Sequence, residues 1–268
     1  MLNKLPEYEL LAIRYATRRV KRCDVFIGET DETVFDMDYY VWVARRGNLI
    51  CVIDTGYSHH TATKRGRRLL RNPVDGMRAA GIDPLHVNHV VLTHLHYDHC
   101  GNLDKFPHAT FHVQLSEFRH ATGPSVREDR VALGFELEDI KHLVELNFQK
   151  RLMLYEGQAE IAPGITTHLV GGHSIGLQFV RVHTRRGWVV IASDAAVFYE
   201  NITTRRPFYI MHDLSDTLAA YDQLLQSAVA IDFIVPGHDA KVMAIYPPLS
   251  RELTGVAVRL DADAHYTA

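Results

Sequence analysis

The run Thr93-His94-Leu95-His96-Tyr97-Asp98-His99 packs three imidazoles and a carboxylate into one short stretch. It follows Val87-Asn88-His89-Val90-Val91-Leu92, an apolar run with the character of a buried strand. Cys100-Gly101-Asn102 comes next and supplies turn chemistry. The histidines therefore belong to a loop at the end of a rigid strand. Metal ions need neutral nitrogen or anionic oxygen ligands about 2 Å away, aimed from a scaffold that cannot relax. A bent loop can send His94 and His96 to one ion and Asp98 and His99 to a neighbour. The chain has 17 His in 268 residues, but a merely histidine-rich solvated loop would rarely adopt the H-x-H-x-D-H order.

Upstream, Val34 to Arg45 places Phe35, Tyr39, Val41 and Val43 on one parity, and Gly47-Asn48 turns the chain into Leu49-Ile50-Cys51-Val52-Ile53. That pattern predicts a hairpin. It ends at Asp54-Thr55-Gly56, where Asp54 either fixes the metal loop through hydrogen bonds or serves as a plain turn residue. Glu9 to Thr17 fits a strand or a short helix. The segment from His60 to Arg71 is polar and basic, with helix expected at its end. Pro73 to Ala80 fits a helix, opened by Pro73 and stopped by Gly81.

Downstream, Ala109 to Val113 reads as a short strand, Ser116 to His120 as the start of a helix and Pro124 to Asp129 as a loop. A helix is expected over Phe135 to Asn147, from the stripe Leu137, Ile140 and Val144. This central segment is either a substrate-facing lid or surface packing. Strands are expected at Ile165–Val170, Leu177–His183, Trp188–Ala192 and Ile231–Val235, with an amphipathic helix over Leu214–Ala228. Chemistry recurs at the strand ends: His173 among glycines, Asp194 after Ser193, and His238 in Pro236-Gly237-His238-Asp239. Any one of these could be a turn residue. Their recurrence at β-strand ends is what points to a shared site.

The chain is 47% hydrophobic with a formal net charge of −3, enough for one large α/β core spanning residues 1–268 and unlike a general nucleic-acid binder, which is usually basic. Three cysteines, Cys23, Cys51 and Cys100, form no framework spacing and suit a reducing compartment. No signal-peptide h-region opens the chain, and no apolar run approaches the roughly 20 residues that span a bilayer. The expectation is a cytoplasmic protein without membrane or nucleic-acid partners, compatible with a homodimer.

Taken together, Thr93 to His99, the glycine-flanked His173, Asp194, His238 and the upstream Asp54-Thr55-Gly56 resemble the metallo-β-lactamase superfamily in its order. The resemblance implies a four-layer αββα sandwich with its site at one edge of two facing sheets. It implies one metal held by His94, His96 and His173, a second by Asp98, His99 and His238, and Asp194 bridging. Within that superfamily the phrases Gly172-His173-Ser174-Ile175-Gly176 and Gly237-His238-Asp239 resemble N-acyl-homoserine lactonases and related small-ring lactonases. One departure stands out: those lactonases often place a tyrosine three residues after the bridging Asp, and here that position is Val197.

The implied activity is hydrolysis of a lactone or similar ester. Two Zn²⁺ roughly 3.5–4 Å apart would share a water, lower its pKa towards about 7, and so present a bridging hydroxide. The mixed His/Asp set also tolerates Fe, Mn or Co. Asp98 or Asp194 would pass a proton to the leaving alkoxide. Tyr199 is the nearest phenol able to replace the missing donor, with Tyr97 as the other. Competing readings are a glyoxalase-II-like thioesterase, which shares the ligands, and a non-catalytic metal-binding protein. Two basic clusters, Arg18-Arg19-Val20-Lys21-Arg22 and Lys64-Arg65-Gly66-Arg67-Arg68, are either solvated faces or a rim that attracts an anionic substrate.

Overall fold

The computed structural model describes residues 4–265. Six strands follow one another into the first sheet: β1 (Glu9–Lys21), β2 (Val34–Arg46), β3 (Leu49–Ile53), β4 (His89–Val91), β5 (Thr110–Gln114) and β6 (Leu152–Tyr155). The second sheet takes β7 (Ala159–Ala162), β8 (Ile165–Leu169), β9 (Gln178–Thr184), β10 (Gly187–Ser193) and β11 (Ile234–Pro236). The chain then returns to the free edge of β1 as β12 (Ala257–Arg259), giving the orders β12-β1-β2-β3-β4-β5-β6 and β11-β10-β9-β8-β7.

The alternation of each strand sorts its side chains into layers. In β1, Leu11, Ile13 and Tyr15 join an outer cluster with Met77, Ala121, Leu143 and Leu146 from the helices Pro73–Ala79, Leu115–Thr122 and Leu137–Phe148. Leu10 and Ala12 face the other way, into a core shared with Trp42, Ile53, Val180, Val182, Val189 and Ile191 of both sheets. On the far side of the second sheet, Phe179, Val190 and Ile234 meet Ala220, Tyr221 and Leu224 of the helix Leu214–Ser227. The architecture is an αββα sandwich. Both faces of β1 are covered, so Leu10 to Ala16 is apolar on both parities apart from Arg14, without clean periodicity, and Glu9–Thr17 resolves as strand.

The hairpin closes as expected, with Arg46 opposite Leu49 and Gly47 at φ 56°, a conformation that suits glycine. The segment after it corrects the expectation: the helix lies at the start, His59–Lys64, capped by Ser58 accepting from the Thr61 N–H, and not at the end. Gly66 at φ 60° stops it. Leu69 then bridges to Ala16 and the Leu70 N–H donates to the Tyr15 carbonyl, tying the basic stretch to β1. Residues 231–233 form a 3-10 turn ahead of β11, and the Pro124–Asp129 stretch is largely helical turns. Among the described residues no helix is long and apolar enough to cross a membrane.

From β3 to β6 the strands run parallel, as do β10 and β11. Their carboxyl ends deliver Asp54, Thr93, Asp194 and His238 to one edge of the sandwich, where open α/β sheets gather ligands.

The helix Leu137–Phe148 carries Asp139 in its first turn. Burial, then Glu136 and Asp104 nearby, push its carboxyl up to about 7. A carboxyl raised in the folded state keeps a proton the unfolded chain has released, so folding loses stability as pH rises from about 4 to about 7. Asp139→Asn should leave stability near pH ~4 almost unchanged and raise it by about 1–2 kcal/mol at pH ~8. Denaturant unfolding at both pH values checks this; an equal gain at each would contradict it.

Candidate metal centre

All seven residues singled out at the strand ends converge. His94, His96 and His173 form one group whose ligand atoms lie within 4.8 Å of one another; His94, His99 and Asp194 form a second, and Asp98, His99 and His238 a third. Asp194 sits at the middle, with Oδ1 3.3 Å from His99 Nε2 and 3.0 Å from His238 Nε2, and Oδ2 3.3 Å from His173 Nε2. Asp98 Oδ2 stands 3.8 Å from His99 Nε2 and 3.9 Å from His238 Nε2.

The outward nitrogens say which atom of each ring faces in. His238 Nδ1 lies 2.8 Å from the Asp38 carbonyl and His173 Nδ1 2.8 Å from the Ile210 carbonyl. Carbonyls only accept, so Nδ1 carries the proton in both and Nε2 presents a lone pair inward. His99 Nδ1 is 2.7 Å from Asp54 Oδ2, an acceptor that likewise keeps a proton on Nδ1 and leaves Nε2 as the atom a cation would take. Asp54 also accepts from the Thr93 N–H and hydroxyl at 2.7 and 2.8 Å, so one buried carboxylate orients both the metal loop and a ligand.

Four of the inward atoms, the Nε2 of His94, His99 and His238 and Asp194 Oδ1, are buried without hydrogen-bond partners, while His173 Nε2 lies 2.9 Å from His96 Nδ1. Burial holds His94 and His96 well below the usual histidine range. Burial also opposes charge on His99, but Asp194, Asp54 and Asp98 outweigh it and hold the imidazole up to about 10. Imidazoles and carboxylates converging in a buried space, with three of the rings already anchored through Nδ1, fit cations.

Glu117 has a role the sequence did not disclose. It is fully buried; Oε1 accepts from the Leu95 N–H at 3.1 Å and Oε2 from the Gly176 N–H at 2.8 Å. It thereby ties the metal loop to the loop bearing His173. Gly176 must be glycine for that approach, because a Cβ there would collide with the backbone N of Glu117 and come within 2.7 Å of its Cα. Gly176→Ala should cost about 2–3 kcal/mol of stability and loosen metal retention. Thermal unfolding with and without zinc tests it; a wild-type profile would show that the loops separate freely.

Tyr199, expected as a carbonyl donor, is a largely buried residue. Its side chain is 8% exposed and packs in the inter-sheet core with Trp42, Val242 and Tyr246, while its backbone N–H donates to Asp239 Oδ2 at 3.0 Å. Val197 is also buried, in the outer core, and its carbonyl accepts from the His238 N–H. Tyr97 lies beside the site, its hydroxyl 3.3 Å from Arg67 Nε.

A fold with this edge and this ligand order defines a class. Residues 36–238 match the metallo-beta-lactamase superfamily, and the chain belongs to it. It is 49% identical over 51 residues to N-acyl homoserine lactonase AttM of Agrobacterium fabrum (strain C58 / ATCC 33970), 19% of each chain. It is 26% identical over 133 residues to an N-acyl homoserine lactonase of Bacillus cereus, 49% of this chain and 48% of that one. The chain thus spans about half or less of the length of these relatives. The crystal structure of a quorum-quenching N-acyl homoserine lactone lactonase superposes with TM-score 0.74 at 21% identity, over 89% of this chain and 95% of that one. AidC, a dizinc quorum-quenching lactonase solved with a product, gives TM-score 0.65 at 16% identity over 88% of each chain. Likeness at these identities bears on the fold alone.

Proposed function

We propose that the chain is a dinuclear metal-dependent hydrolase that opens a lactone ring. The observation that carries this reading is the convergence of ligand atoms from seven residues, three of whose imidazoles are already fixed through Nδ1. Seven ligands exceed what one tetrahedral zinc can use. His94, His96 and His173 would hold one ion, Asp98, His99 and His238 the other, with Asp194 between them. Two Zn²⁺ bound there would supply Lewis acidity and an activated water at neutral pH.

The chain's own residues divide the remaining work. Asp38, Asp54 and the Ile210 carbonyl keep three imidazoles in the tautomer that binds cations. Asp194 lies deep, its side chain 6% exposed and hemmed by three histidines, so it holds position. Asp98 is the more open carboxylate at 13%, which suits it to pass a proton to the leaving alkoxide.

Protein prepared without chelator should carry close to two transition-metal ions per chain by elemental analysis. One ion or fewer, unchanged by added zinc, would rule out the dinuclear centre. A pH-drop panel of lactones, thioesters and phosphodiesters, with and without chelator, separates the reactions. Lactone turnover that chelation removes supports the reading; thioester turnover without it points to the glyoxalase-II-like alternative, and no turnover to a non-catalytic metal protein.

A further inference from the structure

The two basic clusters, distant in sequence, meet beside the metal centre. Because Leu69 bridges to Ala16 and Leu70 bonds to Tyr15, the stretch after the helix His59–Lys64 is laid along the end of β1. Arg67 and Arg68 thereby face the same pocket of about 400 Å³ as Arg18, with Tyr39 and Tyr57 as aromatic walls and Asp36 at the rim.

Neighbouring cations in these clusters are already paired. Lys64 and Arg65 both bind Glu136, and Arg22 binds Glu29 and Glu200. Asp36 sits 3.4 Å from Arg19. By contrast, among the described residues no carboxylate lies within ion-pair distance of Arg18, Arg67 or Arg68. Arg18 Nε is buried and bonds to nothing, and Arg67 Nε reaches only the Tyr97 hydroxyl. Several guanidinium groups around one concavity repel one another, so an anion entering it relieves both the repulsion and the unmet donors.

Two of the pocket's wall residues neighbour residues of the candidate site. Tyr39 packs edge-on against His238, ring centroids 4.8 Å apart. Tyr57 lies 5.8 Å from Tyr97, which stands between His96 and Asp98. A subsite in this pocket requires a ring held at the metals to send a short substituent past Tyr39 toward the arginines.

We infer that Arg18 and Arg67, with Arg68, form a carboxylate-binding subsite that selects lactones bearing a carboxylate over neutral ones, an inference that rests on the hydrolase reading above. Guanidinium forks match a carboxylate's two oxygens, and the volume suits a compact substrate.

The test pairs γ-butyrolactone-γ-carboxylate with its γ-carboxamide, which differ in charge and little in shape, using zinc-loaded protein. The carboxylate should be preferred at least tenfold in kcat/KM at low salt, through KM, and raising salt should erode the preference. Arg67→Gln and Arg18→Gln should each cut that preference about fivefold or more, while Arg67→Lys keeps the salt effect. Equal kcat/KM for the pair, or equal losses on both members in the variants, would overturn the subsite. If neither lactone is hydrolysed, the hydrolase reading fails separately, and calorimetric titration with glutarate still decides the subsite. Glutarate binding that weakens in both Gln variants at unchanged zinc content supports it; no binding, or binding indifferent to them, overturns it.

Discussion

Asp194→Asn should lower hydrolysis at least about 100-fold while the protein still folds. Asp194 offers two oxygens to three histidine Nε2 atoms, at 3.0 and 3.3 Å on one side and 3.3 Å on the other. Asparagine removes the charge and turns one oxygen into an N–H donor facing atoms that have lone pairs to give. Burial disfavours the charge, but His238, His99 and His173 hold the Asp194 carboxyl well below the usual range, so those rings lose their counter-charge with it. His96→Ala should reach a similar loss by a different route, removing a ring that packs on His173 and Phe135. Circular dichroism confirms the fold, elemental analysis reads the metal, and turnover reads the chemistry. Near-wild-type turnover in folded, metal-depleted Asp194→Asn protein would remove the basis for the proposed function.

The site was more legible than the fold, for a physical reason. Metal ligation admits few residue types, so the candidates His94 to His99, His173, Asp194 and His238 stand out together by recurring at strand ends, though no one of them does so alone. What positions them is harder to see. The Ile210 carbonyl that orients His173 is backbone and carries no residue-type signal. Glu117 sits in the first turn of a short helix, like many surface acids, and only the fold brings Gly176 against it. The surroundings of Tyr199 are equally hidden in the sequence: the chain turns at Ala195–Phe198, and Asp239 Oδ2 accepts from the Tyr199 backbone N–H while the ring packs in the core between the sheets.

Among the elements, β2 and the helix Leu214–Ser227 follow from sequence pattern, and β3 from an apolar run placed by the turn before it. β6, β7 and β12 have 4, 4 and 3 residues, too few for alternation to register. The stretch from Arg65 to Arg71 has no apolar rhythm, and its course is set by backbone bonds to Tyr15. That is why the meeting of the two basic clusters is a tertiary fact.

Asp54 offers the sharpest separation of stability from metal binding. It is fully buried with φ 57°, a left-handed conformation that Asp and Asn tolerate and Ala does not favour. Asp54→Ala strands the Thr93 N–H and His99 Nδ1, though Ser193 Oγ at 2.8 Å can still satisfy the Thr93 hydroxyl. At about 1–3 kcal/mol for each stranded group, the Ala variant should lose roughly 3–5 kcal/mol including the backbone term. Asp54→Asn should lose far less, because its one oxygen can stay on the Thr93 N–H and its backbone is unstrained. Its amide nitrogen, however, then faces His99 Nδ1 and donates to it. His99 is driven to carry its proton on Nε2, the atom aimed at Asp98 and Asp194. The Asn variant should therefore melt close to wild type in chelator yet bind its second zinc about 10–100-fold more weakly, as read by competition with a chromophoric chelator. An Asn variant that held both ions at wild-type affinity would mean that His99 is oriented by something other than the Asp54 carboxylate.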